Sequence, residues 1–108
     1  MIEETRPKVI SRILLIEDNP DHGELVVRFL DCSLAGVKVE VAAAGGKGLA
    51  RLGETEFDLA ILDYQLPDGD GLFWLERILK QKPDLPVVMV TGRGSEGVAA
   101  EAFRMGAW

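Results

Sequence analysis

Cysteine is nearly absent. Cys32 is the single one in a chain of 108 residues, so no disulfide can close within it, nothing calls for an oxidising compartment, and the cytoplasm is the expected location. Long apolar runs are missing as well. No stretch approaches the roughly 20 residues of a membrane span, and the charged opening MIEETRPK lacks the apolar centre of a signal peptide. Neither export nor membrane insertion is expected. Basic residues are outnumbered: 12 Lys+Arg against 18 Asp+Glu give a net charge of -6, which repels a phosphate backbone and disfavours nucleic acid as a partner. Aromatic residues make up only 6%, yet the apolar share of 47% is too high for disorder and lets a chain of this length bury a core without staples. One domain over residues 1–108 is expected, with 1–8 as a tail.

What is present is a repeating pattern. Val9 to Ile16 ends in the unbroken apolar run Ile13-Leu14-Leu15-Ile16, as in a strand covered on both faces. The acids Glu17 and Asp18 follow, and then Asn19-Pro20, a pair suited to cap a helix and fill its first position. A helix starting near Asp21 would turn Leu25, Val26, Phe29 and Leu30 inward. Val37, Val39 and Val41 alternate with Lys38 and Glu40, which predicts an edge strand with one wetter face. Lys47 to Leu52 predicts a short helix with Leu49 and Leu52 inward, ended by Gly53.

Phe57 to Leu62 reads as a third buried strand, ending on Asp63 before the loop YQLPDGDG. Leu72, Leu75, Ile78 and Leu79 have helical spacing, closed by Pro83 and Pro86. Val87 to Val90 predicts a fourth strand, leading into Thr91, and Val98, Ala102 and Met105 mark a last helix. The order βαβαβαβα with short connections predicts an α/β fold, a doubly wound parallel sheet with right-handed crossovers.

Ligands in such sheets sit beyond the carboxyl ends of the strands, and Glu17, Asp18, Asp63 and Thr91 all fall there. Three carboxylates drawn together from two strand ends repel one another unless a cation bridges them. Magnesium suits an all-oxygen set that leaves room for water and phosphate oxygens. Asp63 is then a candidate nucleophile toward phosphorus, with the metal offsetting charge and Thr91 donating a hydrogen bond to a phosphoryl oxygen.

Three segments carry a family resemblance: ILLIEDNPD at the first strand, ILDYQLPDGDG at the third and VVMVTGRG at the fourth. Asp63 lies 45 residues after Asp18, and Thr91 lies 28 after Asp63. In these motifs, their order and their spacing, the chain from about Ser11 to Trp108 resembles the receiver domain of bacterial two-component response regulators. The resemblance implies a flavodoxin-like sheet of strand order 2-1-3-4. It implies Asp63 as phosphoacceptor, Asp18 as a direct Mg2+ ligand, Glu17 acting largely through water, Gln65 as a ligand through its backbone carbonyl, and Thr91 as the switch hydroxyl. Implied partners are a histidine kinase or phosphotransfer protein and an output domain or effector. The expected product is a signalling switch rather than a turnover enzyme.

Receiver domains continue past the Gly106-Ala107 position into a fifth strand, a Lys-Pro pair and a fifth helix, and this sequence stops at Trp108. The expectation is a trimmed chain. It would lack the family lysine and leave the fourth strand with an open edge, inviting a homodimer or strand exchange. Lys82-Pro83 precedes the fourth strand and so lies at the wrong end of the sheet to substitute.

Two alternatives of other classes stand beside this reading: an interaction module of the same fold that no longer switches, and an aspartyl-phosphate phosphohydrolase. The latter wants a second acid two residues after the nucleophile, where Gln65 stands. His22, in the first turn of a surface helix, reads as exposed rather than as a relay residue. Asp68 and Asp70 lack the downstream oxygen ligands of a calcium loop. Gly92 to Gly97 matches GxGxxG but on the wrong strand-helix turn for a dinucleotide. Trp74 reads as packing or a partner contact, and Cys32 as a small buried apolar residue.

Overall fold

A computed structural model describes residues 10–91 and 96–108. Four strands, β1 (Arg12–Ile16), β2 (Lys38–Ala42), β3 (Leu59–Asp63) and, after a two-residue ladder of β4 (Gln65–Leu66) and β5 (Gly69–Asp70), β6 (Val87–Val90), alternate with four helices. The helices are α1 (Pro20–Ser33), α2 (Gly45–Glu54), α3 (Gly71–Gln81) and α4 (Glu96–Met105). The main sheet is parallel throughout, in the order β2-β1-β3-β6. This is the expected 2-1-3-4 arrangement once the small ladder is set aside. The predicted tail 1–8 and residues 92–95 of the GxGxxG stretch lie outside the described residues.

The first strand reads as a continuous apolar run because both its faces are covered, while β3 is buried on one face and half-buried on the other. Leu14, Ile16, Ala60, Leu62 and Val87 form one cluster with Leu52 of α2, Leu75 and Ile78 of α3 and Ala102 of α4. Ile13 and Leu15 are equally buried and, by strand alternation, project to the opposite face under α1. Leu62→Ala, at a side chain with no exposure, is expected to cost about 3 kcal/mol in denaturant titration.

Four local expectations need correcting. Leu25 and Phe29 do not turn inward; both are 67% exposed. The face that meets the sheet is Gly23, Val26, Val27 and Leu30, the spacing a helix of 3.6 residues per turn requires. Leu25→Ala should therefore change stability by no more than about 0.5 kcal/mol, and the contrast with Leu62→Ala checks the assignment. Cys32 is exposed rather than buried, since it lies on the outer side of the same helix.

The second helix starts at Gly45, two residues before the predicted Lys47, and continues through Gly53. Gly48 permits this, because a Cβ there would lie 2.5 Å from Ile16 Cδ1. The glycines mark close packing rather than a helix end. The edge strand β2 is confirmed, although Val41 is 47% exposed while Glu40 turns to Arg51, which also bonds Glu54 at 2.7 Å.

The expected open edge of the fourth strand is partly closed. Trp108 N donates to Val87 O at 2.7 Å, so the chain's last residue begins to pair where β6 starts.

Candidate functional site

The carboxyl ends of β1 and β3 adjoin, with Ile16 in register with Leu62. The next residues therefore meet above the sheet. Oxygen atoms of Glu17, Asp18 and Asp63 all lie within 4.8 Å of one another. Glu17 is fixed at both ends: its N donates to Ala42 O at 2.9 Å and its carboxylate accepts from Asn19 N at 3.1 Å. Asn19 in turn caps α1, its side chain accepting from Asp21 N and His22 N at 2.9 and 3.3 Å, and Pro20 fills the first helical position as the sequence suggested.

The charges in this cluster are held at a cost. Burial raises the pKa of Asp63, the Asp18 charge raises it further, and the backbone N–H groups of Gln65 and Tyr64 only partly oppose this. Burial also raises that of Glu17, with Asp63 and Asp18 adding to it against the Asn19 hydrogen bond and His22. A pocket that disfavours its own negative charge and offers only oxygen donors fits a hard divalent cation.

Thr91 follows Val90, which is in register with Asp63, and Tyr64 N bonds Val90 O at 2.9 Å. The hydroxyl-bearing residue is thus delivered to the same edge. Gln65, two residues after Asp63, is held by pairing with Asp70.

Other residues stand apart. His22 is 68% exposed, with Nδ1 3.9 Å from Glu17 Oε2. Lys82 lies beyond the C-terminus of α3 and pairs with Glu56 at 3.4 Å, at the end of the sheet opposite Asp63. Asp70 is a helix cap, accepting from Phe73 N at 2.9 Å. Trp74 packs against the core, the first of its two expected roles.

Two residues of the loop from Pro67 to Gly71, expected to shape the site by turn geometry, do so through contacts that the sequence does not specify. Gly71 lies flush against the backbone after Asp63, since a Cβ there would be 2.8 Å from Tyr64 Cα and 3.1 Å from Asp63 O. Asp68 bonds the first turn of α2. Gly71 is legible only as part of a turn, and nothing local marks the reach of Asp68.

Residues 13–108 match the family model of the response regulator receiver domain. The chain belongs to that family. Among curated relatives of this receiver domain, the response regulator protein PilR of Pseudomonas aeruginosa is 35% identical over 100 residues, covering 91% of this chain and 22% of that protein. The C4-dicarboxylate transport transcriptional regulatory protein DctD of Rhizobium meliloti is 34% identical over 96 residues, covering 89% and 20%. The receiver domain thus spans about a fifth of the length of these relatives.

Solved structures agree. The receiver domain of NtrX from Brucella abortus superimposes with a TM-score of 0.82 at 36% identity, covering 89% of this chain and 80% of that one. A CheY-like receiver domain protein from Methanospirillum hungatei gives 0.80 at 34%, covering 91% and 77%. Among the described residues of this receiver domain, no helix is long and apolar enough to cross a membrane.

Proposed function

We propose that this receiver domain accepts a phosphoryl group on Asp63 from the phosphohistidine of a histidine kinase or phosphotransfer protein, and so switches an output domain or effector in the cytoplasm. The observation that carries the reading is the convergence of Glu17, Asp18 and Asp63 within 4.8 Å at the carboxyl edge of a parallel sheet. An Asp63 carboxylate oxygen attacks phosphorus, the phosphorus–nitrogen bond of the donor breaks, and the imidazole leaves with its electron pair, giving an acyl phosphate. Asp18, Asp63 and the Gln65 carbonyl would hold Mg2+ directly, with Glu17 acting through water. When bound, the cation offsets negative charge on the phosphoryl oxygens. Thr91 donates its hydroxyl to one of those oxygens, a local electrostatic event with a distant readout.

The relatives support a switch rather than a turnover enzyme. They include a response regulator protein, a transcriptional regulatory protein and a protein-glutamate methylesterase/protein-glutamine glutaminase of Caulobacter vibrioides, each matched over less than a third of its length. The segment they share with this chain is common to proteins of different activity. Hydroxylamine gives a direct chemical test, because it attacks an acyl phosphate at carbonyl carbon, releasing phosphate and leaving a hydroxamate. After treatment with Mg2+ and acetyl phosphate, the hydroxamate is expected at Asp63. Its recovery at another residue, or at none, would refute the acceptor assignment.

A homodimer is part of the same proposal. Among the described residues β6 is paired by β3 on one side and by the Trp108 N–H alone on the other, and Val90 is 47% exposed, an arrangement that suits edge pairing with a second copy. Sedimentation should show a dimer that grows with concentration, and a monomer at every concentration would disprove it.

A further inference from the structure

The loop between β3 and α3 carries two carboxylates that bond in opposite directions. Asp70 caps its own helix. Asp68 reaches across to a different element: Oδ1 accepts from Gly45 N at 2.9 Å and Oδ2 from Gly46 N at 2.8 Å. Ala44, at the N-cap position of α2, has no side chain able to do this, so a residue from another loop closes that turn. The approach depends on glycine. A Cβ on Gly46 would lie 3.4 Å from Asp68 Oδ2, and one on Gly45 2.3 Å from Trp74 Nε1.

Gly69, next to Asp68, has φ +138, and a Cβ there would meet Trp74 Nε1 at 2.9 Å. The Trp74 ring is thus wedged between the helix start and the turn. Its Nε1 is buried without a partner in full hydrogen-bond geometry among the described residues, yet lies near enough to the Asp68 carboxylate to favour that group's ionised form. Partial burial acts to raise the Asp68 pKa, but the Gly46 and Gly45 hydrogen bonds outweigh it and hold the group below its ordinary value. An ionised carboxylate therefore faces the positive end of the α2 dipole.

The clamp is joined to the site by backbone pairing. Gln65 pairs with Asp70 and Leu66 with Gly69, so the turn that holds Asp68 and the residue after Asp63-Tyr64 move as one ladder. On the other side, Ala42 at the end of β2 accepts from Glu17 N and leads through two residues into α2. The contact from Asp68 to Gly45 and Gly46 therefore bridges the two sides of the acidic cluster.

We propose that Asp68 is a positioning residue for the cation site: its clamp on Gly45 and Gly46 sets the Gln65 carbonyl against Glu17, Asp18 and Asp63, so that divalent-cation binding and closure of the α2 start favour each other. This rests on the reading of the cluster as a Mg2+ site. Coupling of this kind is reciprocal. If the clamp strengthens cation binding, the cation must tighten the clamp.

The test uses the full chain, with Mg2+ alone as the probe. Hydrogen exchange at the Gly45 and Gly46 amides should slow when Mg2+ is added to the wild type. Asp68→Ala should abolish that response and weaken Mg2+ binding in calorimetry by about tenfold. Asp68→Asn, which keeps one acceptor oxygen, should fall between. Val87→Ala, a core truncation at the far end of β6, should lower stability while leaving Mg2+ affinity within about twofold, which separates positioning from a loss of stability alone.

Wild-type Mg2+ binding with no change at the Gly45 and Gly46 amides would overturn the clamp and leave the Mg2+ site standing, as would equal affinity in a folded Asp68 variant. No Mg2+ binding by the wild type would overturn both. Should Asp68→Ala fail to fold, the wild-type exchange measurement and Asp68→Asn still decide.

Discussion

Asp63→Asn is expected to make the metal-free protein more stable at neutral pH. The wild-type fold holds three acidic groups with oxygens within 4.8 Å, and burial together with Asp18 raises the Asp63 pKa above its ordinary 3.8. A raised carboxyl pKa means the fold prefers the protonated form. Below the unfolded value both states are protonated and the group adds no penalty. As pH rises from 3.8 through the raised folded value, the unfolded state ionises more readily and stability is lost; above that window the loss is complete. Glu17, raised from 4.5 mainly by burial, contributes in the same sense.

Asparagine at 63 removes one of the repelling charges while keeping the shape. Allowing for solvent screening of a part-exposed pair, the gain is on the order of 1 kcal/mol. In a domain of this size that is a rise in Tm of roughly 4 °C or more. Scanning calorimetry in chelator at several pH values measures it directly. The advantage should vanish in acid below the carboxylate range, and Mg2+ should reverse the order by stabilising the wild type alone. A variant less stable than wild type at neutral pH in chelator would show that the cluster is not charge-strained.

Gly71→Ala is expected to be damaging out of proportion to one methyl group. The nearest atoms to an added Cβ include backbone, Tyr64 Cα at 2.8 Å and Asp63 O at 3.1 Å, besides Met89 Cε at 3.0 Å, so no side-chain rotation can make the room. Either α3 withdraws or the Asp63-Tyr64 segment shifts. Gly71 N also donates to Tyr64 O at 2.6 Å, and that bond would be stretched by either movement. The expected loss is about 2–3 kcal/mol by denaturant titration, in the range of overpacked interiors. Mg2+ binding should fall with it, because the displaced atoms adjoin the acceptor. Gly97→Ala is the matched control: an added Cβ there meets nothing within 4 Å, and the change should be neutral or mildly stabilising in a helix.

The sheet and its acidic edge were readable because their cause is local. Ile13 to Ile16 is apolar without alternation since both faces of β1 are covered, Leu59 to Leu62 is an apolar run buried on one face and half-buried on the other, and Glu17, Asp18 and Asp63 follow at once, where the strands end. What escaped reading is what depends on contacts between distant segments. Asp68 looks like any acid in a turn, and only its 22-residue reach to Gly46 gives it a role. The glycines at 45 to 48 suggested a late helix start, yet Trp74 and Ile16 pack where their side chains would be.

Leu25 and Phe29 misled for a related reason. Helical spacing says which residues share a face, and several overlapping faces of α1 are apolar; which one meets the sheet depends on how the helix lies, which Gly23, packed near Val41 and Glu17, decides.

The most direct test of the acceptor role is the intact mass of the protein after incubation with acetyl phosphate, run with Mg2+, with chelator, and with Asp63→Asn. One added phosphoryl group is predicted for the wild type in Mg2+ and none in the other two. An equal adduct on Asp63→Asn, or no adduct on a wild-type protein shown to bind Mg2+, would contradict phosphoryl acceptance at Asp63.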